Sequence, residues 1–142
     1  MTNNPQTELL NNWISITNIQ LNIANELEST LQRNYDLSLK EFYVLYFLSQ
    51  SSDKKLRLQQ LQEMVGLSQS AISRLVGRLE AKSCGVLERH ICEDDRRGIY
   101  TSLTVKGSEK LQRCLDTVYT ILQSAFSKEN IHHQLESLLH KS

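Results

Sequence analysis

Between Ser68 and Arg78 the chain reads Ser-Gln-Ser-Ala-Ile-Ser-Arg-Leu-Val-Gly-Arg. As a helix, this stretch gathers Ile72, Leu75, Val76 and Leu79 on one face and Gln69, Ser70, Ser73, Arg74, Gly77 and Arg78 on the other. The chemistry open to that polar face is recognition. Hydroxyls and an amide at the first turn can approach base edges and phosphates closely. Arg74 and Arg78, one turn apart, can contact guanine edges or phosphates. Ser68 as N-cap leaves backbone N–H groups aimed at a phosphate. The same residues also compose an ordinary solvated helix face. A second cluster, Asp95-Arg96-Arg97, sits where two adjacent arginines gain little from packing. An arginine at a loop tip can enter the narrow, electronegative minor groove while a carboxylate orients its guanidinium. A solvated turn is the alternative.

Other reactive side chains are weaker candidates. Cys84, His90 and Cys92 lie close together, but Cys84 precedes a strand and the other two alternate on one face of it. Their spacing does not imply the converging tetrahedron that zinc needs, and no metal site is expected. Cys92, near Arg89, Arg96 and Arg97, is a candidate redox thiol with a lowered pKa, or else an ordinary strand cysteine. Cys114 reads as a small buried hydrophobe, and His132, His133 and His140 as solvated or interface groups. There is no nucleophile–base signature, no glycine loop for phosphate and no paired-acid motif. The expectation is therefore a non-enzyme without a cofactor.

Composition narrows the class further. The 142 residues are 39% hydrophobic and 23% charged, typical of a globular chain. The longest uncharged apolar stretch, Phe42 to Leu48, is far too short for a bilayer, and the N-terminus lacks a secretory pattern. Three unevenly spaced cysteines argue against a disulfide scaffold and for a reducing cytoplasm. The formal net charge is zero, but residues 1–53 carry −4, residues 54–113 carry +5 and residues 114–142 carry −1. A basic centre between acidic ends suggests a polyanion-facing middle, although a solvated face is the commoner meaning of a charge cluster.

The elements that must position these groups follow from hydrophobic spacing. Leu9, Trp13, Ile16, Ile23, Leu27 and Leu31 predict an amphipathic helix from about Gln6 to Asn34. Ser38-Leu39-Lys40-Glu41 is a capping box that opens a second helix, with Phe42, Leu45, Tyr46 and Leu48 as its buried face. Leu56-Arg57-Leu58 suits a very short strand. A short helix through Leu58, Leu61, Met64 and Val65 should end at Gly66. Ser68 caps the next helix, which Gly85 closes. Val86–Cys92 and Ile99–Leu103 form a β-hairpin with a polar tip. Thr104 opens a helix through Leu111, Leu115, Val118, Leu122 and Phe126, and a final helix covers about 130–140. Two helices around a glycine turn make a helix-turn-helix whose second helix can enter a major groove.

With these elements in place, the stretch from Leu39 to Gly107 resembles a MarR-type winged helix-turn-helix transcription regulator. The matching segments are Leu39 to Leu45, Leu58 to Leu61, Leu67 to Val76, Leu79-Glu80 and, most specifically, Asp95 to Gly107, the family's wing-to-helix signature. The resemblance implies a mainly α fold with a small β-hairpin wing (α+β). Its parts are an N-terminal dimerisation helix (1–34), a winged DNA-binding unit (35–107) and C-terminal dimerisation helices (108–142). It further implies a homodimer that reads a palindromic operator in double-stranded DNA, with Ser68, Gln69, Ser70, Ser73, Arg74 and Arg78 in the recognition helix. Asp95, Arg96 and Arg97 form the wing, where Asp95 holds an arginine, Arg97 foremost, for the minor groove. Relatives answer to aromatic small molecules, oxidants or metals. A pocket between the dimer helices and the winged unit would have Trp13, Tyr43 and Tyr46 as lining; plain core is the alternative for these aromatics. The implied function is a repressor released by a small-molecule effector or an oxidant. The alternative is a winged protein-interaction module that does not read DNA. One departure is visible: Ser83-Cys84 intervene before Gly85, where the family passes directly to glycine. The base-reading face is left intact and the aim of the wing is left open.

Overall fold

A computed structural model describes residues 4–81, 85–91 and 99–128, together with His133, Glu136 and Leu139. Helix α1 spans Pro5–Tyr35. Asn4 caps its start by accepting from the Gln6 N–H (3.0 Å), and Pro5 fits the first turn because its missing N–H would have no helical partner there. Asp36, in the left-handed region at φ 55°, closes the other end, and the Leu37 N–H returns to the Leu31 carbonyl at 3.3 Å. The 31 residues extend about 46 Å at ~1.5 Å per residue. Leu27 and Leu31 are buried, whereas Leu9, Leu10, Trp13, Ile14 and Leu21 are exposed.

Helix α2 (Leu39–Gln50) begins with the expected capping box. The Ser38 N–H donates to Glu41 Oε1 (2.8 Å) and the Glu41 N–H donates to Ser38 Oγ (3.1 Å). Phe42, Leu45 and Leu48 are buried as the spacing predicts, but Val44 is buried too and Tyr46 is 37% exposed. The difference has a packing cause. Helix α2 is the central element, touched by every other helix and by two strands, so its apolar face is wider than one stripe and is displaced from Tyr46.

A 3₁₀ turn (Ser52–Lys54) leads into β1 (Lys55–Arg57), α3 (Leu58–Val65) and α4 (Gln69–Ala81). Leu58, which the sequence offers to both the strand and the following helix, opens α3. Strands β2 (Leu87–Ile91) and β3 (Ile99–Leu103) form the hairpin, and β1 joins the outer side of β3 to give an antiparallel sheet in the order β1-β3-β2. Ile91 faces Ile99 at the tip end and Leu87 faces Leu103 at the base. Helix α5 spans Val105–Lys128. Of the expected final helix, His133, Glu136 and Leu139 are helical and its remaining positions lie outside the described residues.

The core joins Leu27 and Leu31 of α1, Leu45 and Leu48 of α2, Leu61 of α3, Ile72, Val76 and Leu79 of α4, and Leu111 and Val118 of α5 in one cluster. Each fully buried leucine or valine contributes about 1.5–3 kcal/mol relative to exposure. Polar ties fix the helix ends around this core. Tyr35 Oη hydrogen-bonds to the Arg113 carbonyl (3.1 Å) and to Thr117 Oγ1 (2.6 Å), joining α1 to α5. At the base of the hairpin, the Thr104 N–H donates to the Val86 carbonyl (3.1 Å) and Thr104 Oγ1 to the Gly85 carbonyl (2.8 Å). The same hydroxyl accepts from the Gly107 N–H (3.0 Å). Gly107 is obligatory in this arrangement, because a Cβ there would lie 2.3 Å from the Val86 carbonyl oxygen. The Thr104-Val105-Lys106-Gly107 signature is thus the weld between hairpin and α5.

Candidate nucleic-acid interface

Helices α3 and α4 are set by the turn Val65-Gly66-Leu67. Gly66 adopts φ 77°, a conformation that a Cβ disfavours, while its N–H and that of Leu67 both return to the Gln62 carbonyl. Lys40 Nζ donates to the Val65 carbonyl (3.0 Å), tying the end of α3 to α2. Ser68 then caps α4 by accepting from the Ala71 N–H at 3.2 Å. Burial of Ile72, Leu75, Val76 and Leu79 rotates the opposite face outward. On that face Ser68, Gln69, Ser70, Arg74 and Arg78 are exposed, and Ser73 and Gly77 are half-buried. All six recognition-helix residues expected from the sequence therefore lie on or beside one outward strip.

The cations on this side are held in distinct ways. Arg74 Nε donates to the Ser70 carbonyl (3.4 Å), which lays the side chain back along its own helix. Arg78 Nε lies 3.8 Å from Glu41 Oε2. Arg89 of β2 hydrogen-bonds Glu80 of α4 and crosses Gly77, where a Cβ would come within 3.4 Å of its Nη2. That pair ties the hairpin to α4. At the far edge of the sheet, Arg57 Nε donates to Tyr100 Oη (3.1 Å), and Lys55 and Arg57 each lie 5.3 Å from the centre of the Tyr100 ring. The motifs did not single out this cation–aromatic cluster. Its sequence signal is the two-residue spacing of Lys55 and Arg57, which places both on one face of β1.

Asp95, Arg96, Arg97 and Cys92 lie outside the described residues, as do Ser83 and Cys84. His90 Nε2 is hydrogen-bonded with Ser102 Oγ (2.8 Å) and lies 3.8 Å from Glu88. Among the described residues no three His, Cys, Asp or Glu side chains converge as a metal site. Cys114 is buried, and burial pushes its thiol up to about 11, outweighing the downward pull of Lys110 and Arg113. Such a thiol is a poor nucleophile, because the thiolate is the reactive form.

An apolar cleft runs between α1, α2 and α5 in two lobes. One, of about 300 Å³, lies against Ile16, Ile19, Ile23 and Phe126, and the other, of about 410 Å³, against Phe42, Tyr46, Phe47 and Tyr119. Tyr43 and Leu122 line both lobes. Burial, followed by the nearby Glu28 carboxylate, raises the pKa of the Tyr43 hydroxyl. Of the three aromatics expected as lining, Tyr43 and Tyr46 are in place and Trp13 is not. It is 59% exposed and lines neither lobe. The sequence period gives its side of the helix, not where its packing partners stop.

Residues 35–98 match the MarR family model. No curated protein matches the chain. Among solved structures, the MarR family transcriptional regulator Sco3205 from Streptomyces coelicolor, in complex with DNA, is 25% identical with a TM-score of 0.78, covering 90% of this chain and 81% of that one. The transcriptional regulator BldR from Sulfolobus solfataricus superposes over 100% of both chains at 24% identity and a TM-score of 0.75. A mutant MarR from E. coli, complexed with operator DNA, gives 0.72 at 23% identity over 89% of each chain. The mainly helical fold with its small antiparallel sheet thus superposes on these structures. Residues 35–98 thus carry a MarR-family segment, and the chain shares its overall fold with MarR family transcriptional regulators.

Proposed function

We propose that this protein is a cytoplasmic, homodimeric, sequence-specific double-stranded DNA-binding repressor. It reads a palindromic operator through α4 and the wing and is released by a small-molecule or oxidative signal. The observation that carries the reading is the strip on α4. Four core residues on one side leave Ser68, Gln69, Ser70, Arg74 and Arg78 facing outward together on a helix-turn-helix. A helix so presented fits a major groove about 12 Å wide. The DNA complexes of Sco3205 and of the E. coli MarR mutant support the same use of the fold. The exposed Leu9, Leu10, Trp13, Ile14 and Leu21 on α1 support a second copy of the chain as partner. The cleft at Tyr43 favours a small-molecule signal over oxidation of Cys114, whose thiol is held neutral. Cys92 is the candidate thiol for an oxidative release, tested by peroxide treatment of Cys92→Ser.

The experiment is fluorescence anisotropy with a labelled duplex from the chain's own promoter region, titrated at several salt concentrations. The reading requires tighter binding than to a random duplex, with log K falling against log salt by about 0.9 per phosphate neutralised. Equal affinity for the two duplexes overturns it.

A further inference from the structure

Glu41 carries more than its cap requires. Oε1 accepts the Ser38 N–H and completes the capping box, a task that glutamine performs equally well. Oε2 faces Arg78 Nε across 3.8 Å. The Glu41 side chain is 5% exposed and that of Arg78 is 65% exposed, so a nearly buried carboxylate is aimed at an accessible guanidinium on the proposed reading face. A buried charge is costly unless donors and an opposite charge compensate it. The N-cap of α2 supplies a donor, the Ser38 N–H, and α4 supplies the opposite charge.

We infer that Glu41 is a positioning residue for Arg78, holding the last arginine of the α4 strip toward α2 so that it meets DNA in one register. The inference rests on the DNA-binding reading above. A separation of 3.8 Å is longer than a hydrogen bond, so the pair restrains the guanidinium without locking it, and a phosphate or base edge can compete. The carboxylate also offsets part of the arginine's charge, which weakens its pull on arbitrary phosphates. Arg74, one turn earlier, is restrained by its own helix instead, through the Ser70 carbonyl. The two arginines of the strip are thus set by different parts of the fold, Arg74 by α4 itself and Arg78 by α2.

The test compares wild type, Glu41→Gln, Arg78→Ala and the double variant. Affinity is measured for the duplex that wild type enriches from a random pool and for a scrambled duplex of equal length. Glutamine keeps an acceptor for the Ser38 N–H, so the cap survives while the charge is removed. Glu41→Gln is expected to lower the ratio of specific to scrambled affinity about two- to fivefold, chiefly by tightening binding to the scrambled duplex. In the Arg78→Ala background the same change should leave the ratio unmoved. Glu41→Asp, which keeps the charge but withdraws it by one methylene, should lower the ratio as well. An equal shift in both backgrounds marks a general charge effect and overturns the inference. So does a fall in melting temperature with both affinities reduced alike, which marks a purely structural role. If wild type enriches no duplex, the DNA-binding reading fails and takes this inference with it; enrichment without coupling overturns the role of Glu41 alone.

Discussion

Replacing Gly107 with alanine should destabilise the protein, against the usual effect of that change in a helix. Gly→Ala within a helix normally gains about 0.5–1 kcal/mol from reduced chain entropy. Here the new Cβ would lie 2.3 Å from the Val86 carbonyl oxygen and 2.7 Å from Leu103 Cδ1, with the Val86 carbonyl carbon at 3.1 Å. Two of those atoms belong to backbone, and the same carbonyl accepts the Thr104 N–H, so relief requires moving the base of β2 away from α5. Overpacking of this kind costs about 1–3 kcal/mol, and the contact is about 1 Å inside ordinary van der Waals distance, which places it toward the upper end. The net loss is about 1–2 kcal/mol, or about 3–8 °C in melting temperature for a chain of this size. Circular dichroism melts at fixed protein concentration measure it. Gly77→Ala is the control, since its Cβ meets only the flexible end of Arg89 at 3.4 Å and should be neutral or stabilising. A Gly107→Ala melting temperature equal to or above wild type would refute the weld between hairpin and α5.

Other consequences follow from the same geometry. Ile14→Asp should shift a dimer to monomer in sedimentation equilibrium, because it places a charge among the exposed apolar residues of α1; a wild type that is itself monomeric at micromolar concentration contradicts the dimer. Arg74→Ala should relax base preference at one position by about 1–3 kcal/mol if Arg74 reads an edge, as measured by competition among single-base operator variants, whereas a uniform loss marks a phosphate contact. Arg97→Ala should weaken operator binding severely with the dimer intact, and unchanged affinity removes the wing from the mechanism. The Cys114 thiol is raised from 9.0 to about 11 in the fold, so its contribution to stability is complete below about pH 9 and is lost as pH climbs through 11. Denaturant melts across that range should show less loss in Cys114→Ala than in wild type, and the native thiol should resist alkylation at pH 7.5.

Features encoded within a few residues are legible in the sequence. Ser38 and Glu41 cap α2 as their spacing requires, and Ile72, Leu75, Val76 and Leu79 are the buried face of α4, which in turn fixes the outward strip. Features set by tertiary neighbours were not. The burial of Val44 and exposure of Tyr46 depend on how many elements surround α2. The exposure of Trp13 depends on which side chains pack along α1, which its own spacing does not give. Leu58 was ambiguous because one apolar residue can end a strand or open a helix, and the cap formed by the Gln60 side chain on the Arg57 N–H (2.9 Å) decides it. Pairs distant in sequence, Arg78 with Glu41 and Arg89 with Glu80, carry no local signal. Gly107 was visible as part of a motif, but the close approach of the Val86 carbonyl that demands it was not.

The most direct test of the central claim is selection of duplexes by the purified full-length protein from a random-sequence pool, read by sequencing. DNA reading by two copies of α4 predicts one enriched consensus with two-fold symmetry and half-sites about one helical turn, or a multiple of it, apart. A pool that stays unenriched, or that enriches an asymmetric single site, would contradict it.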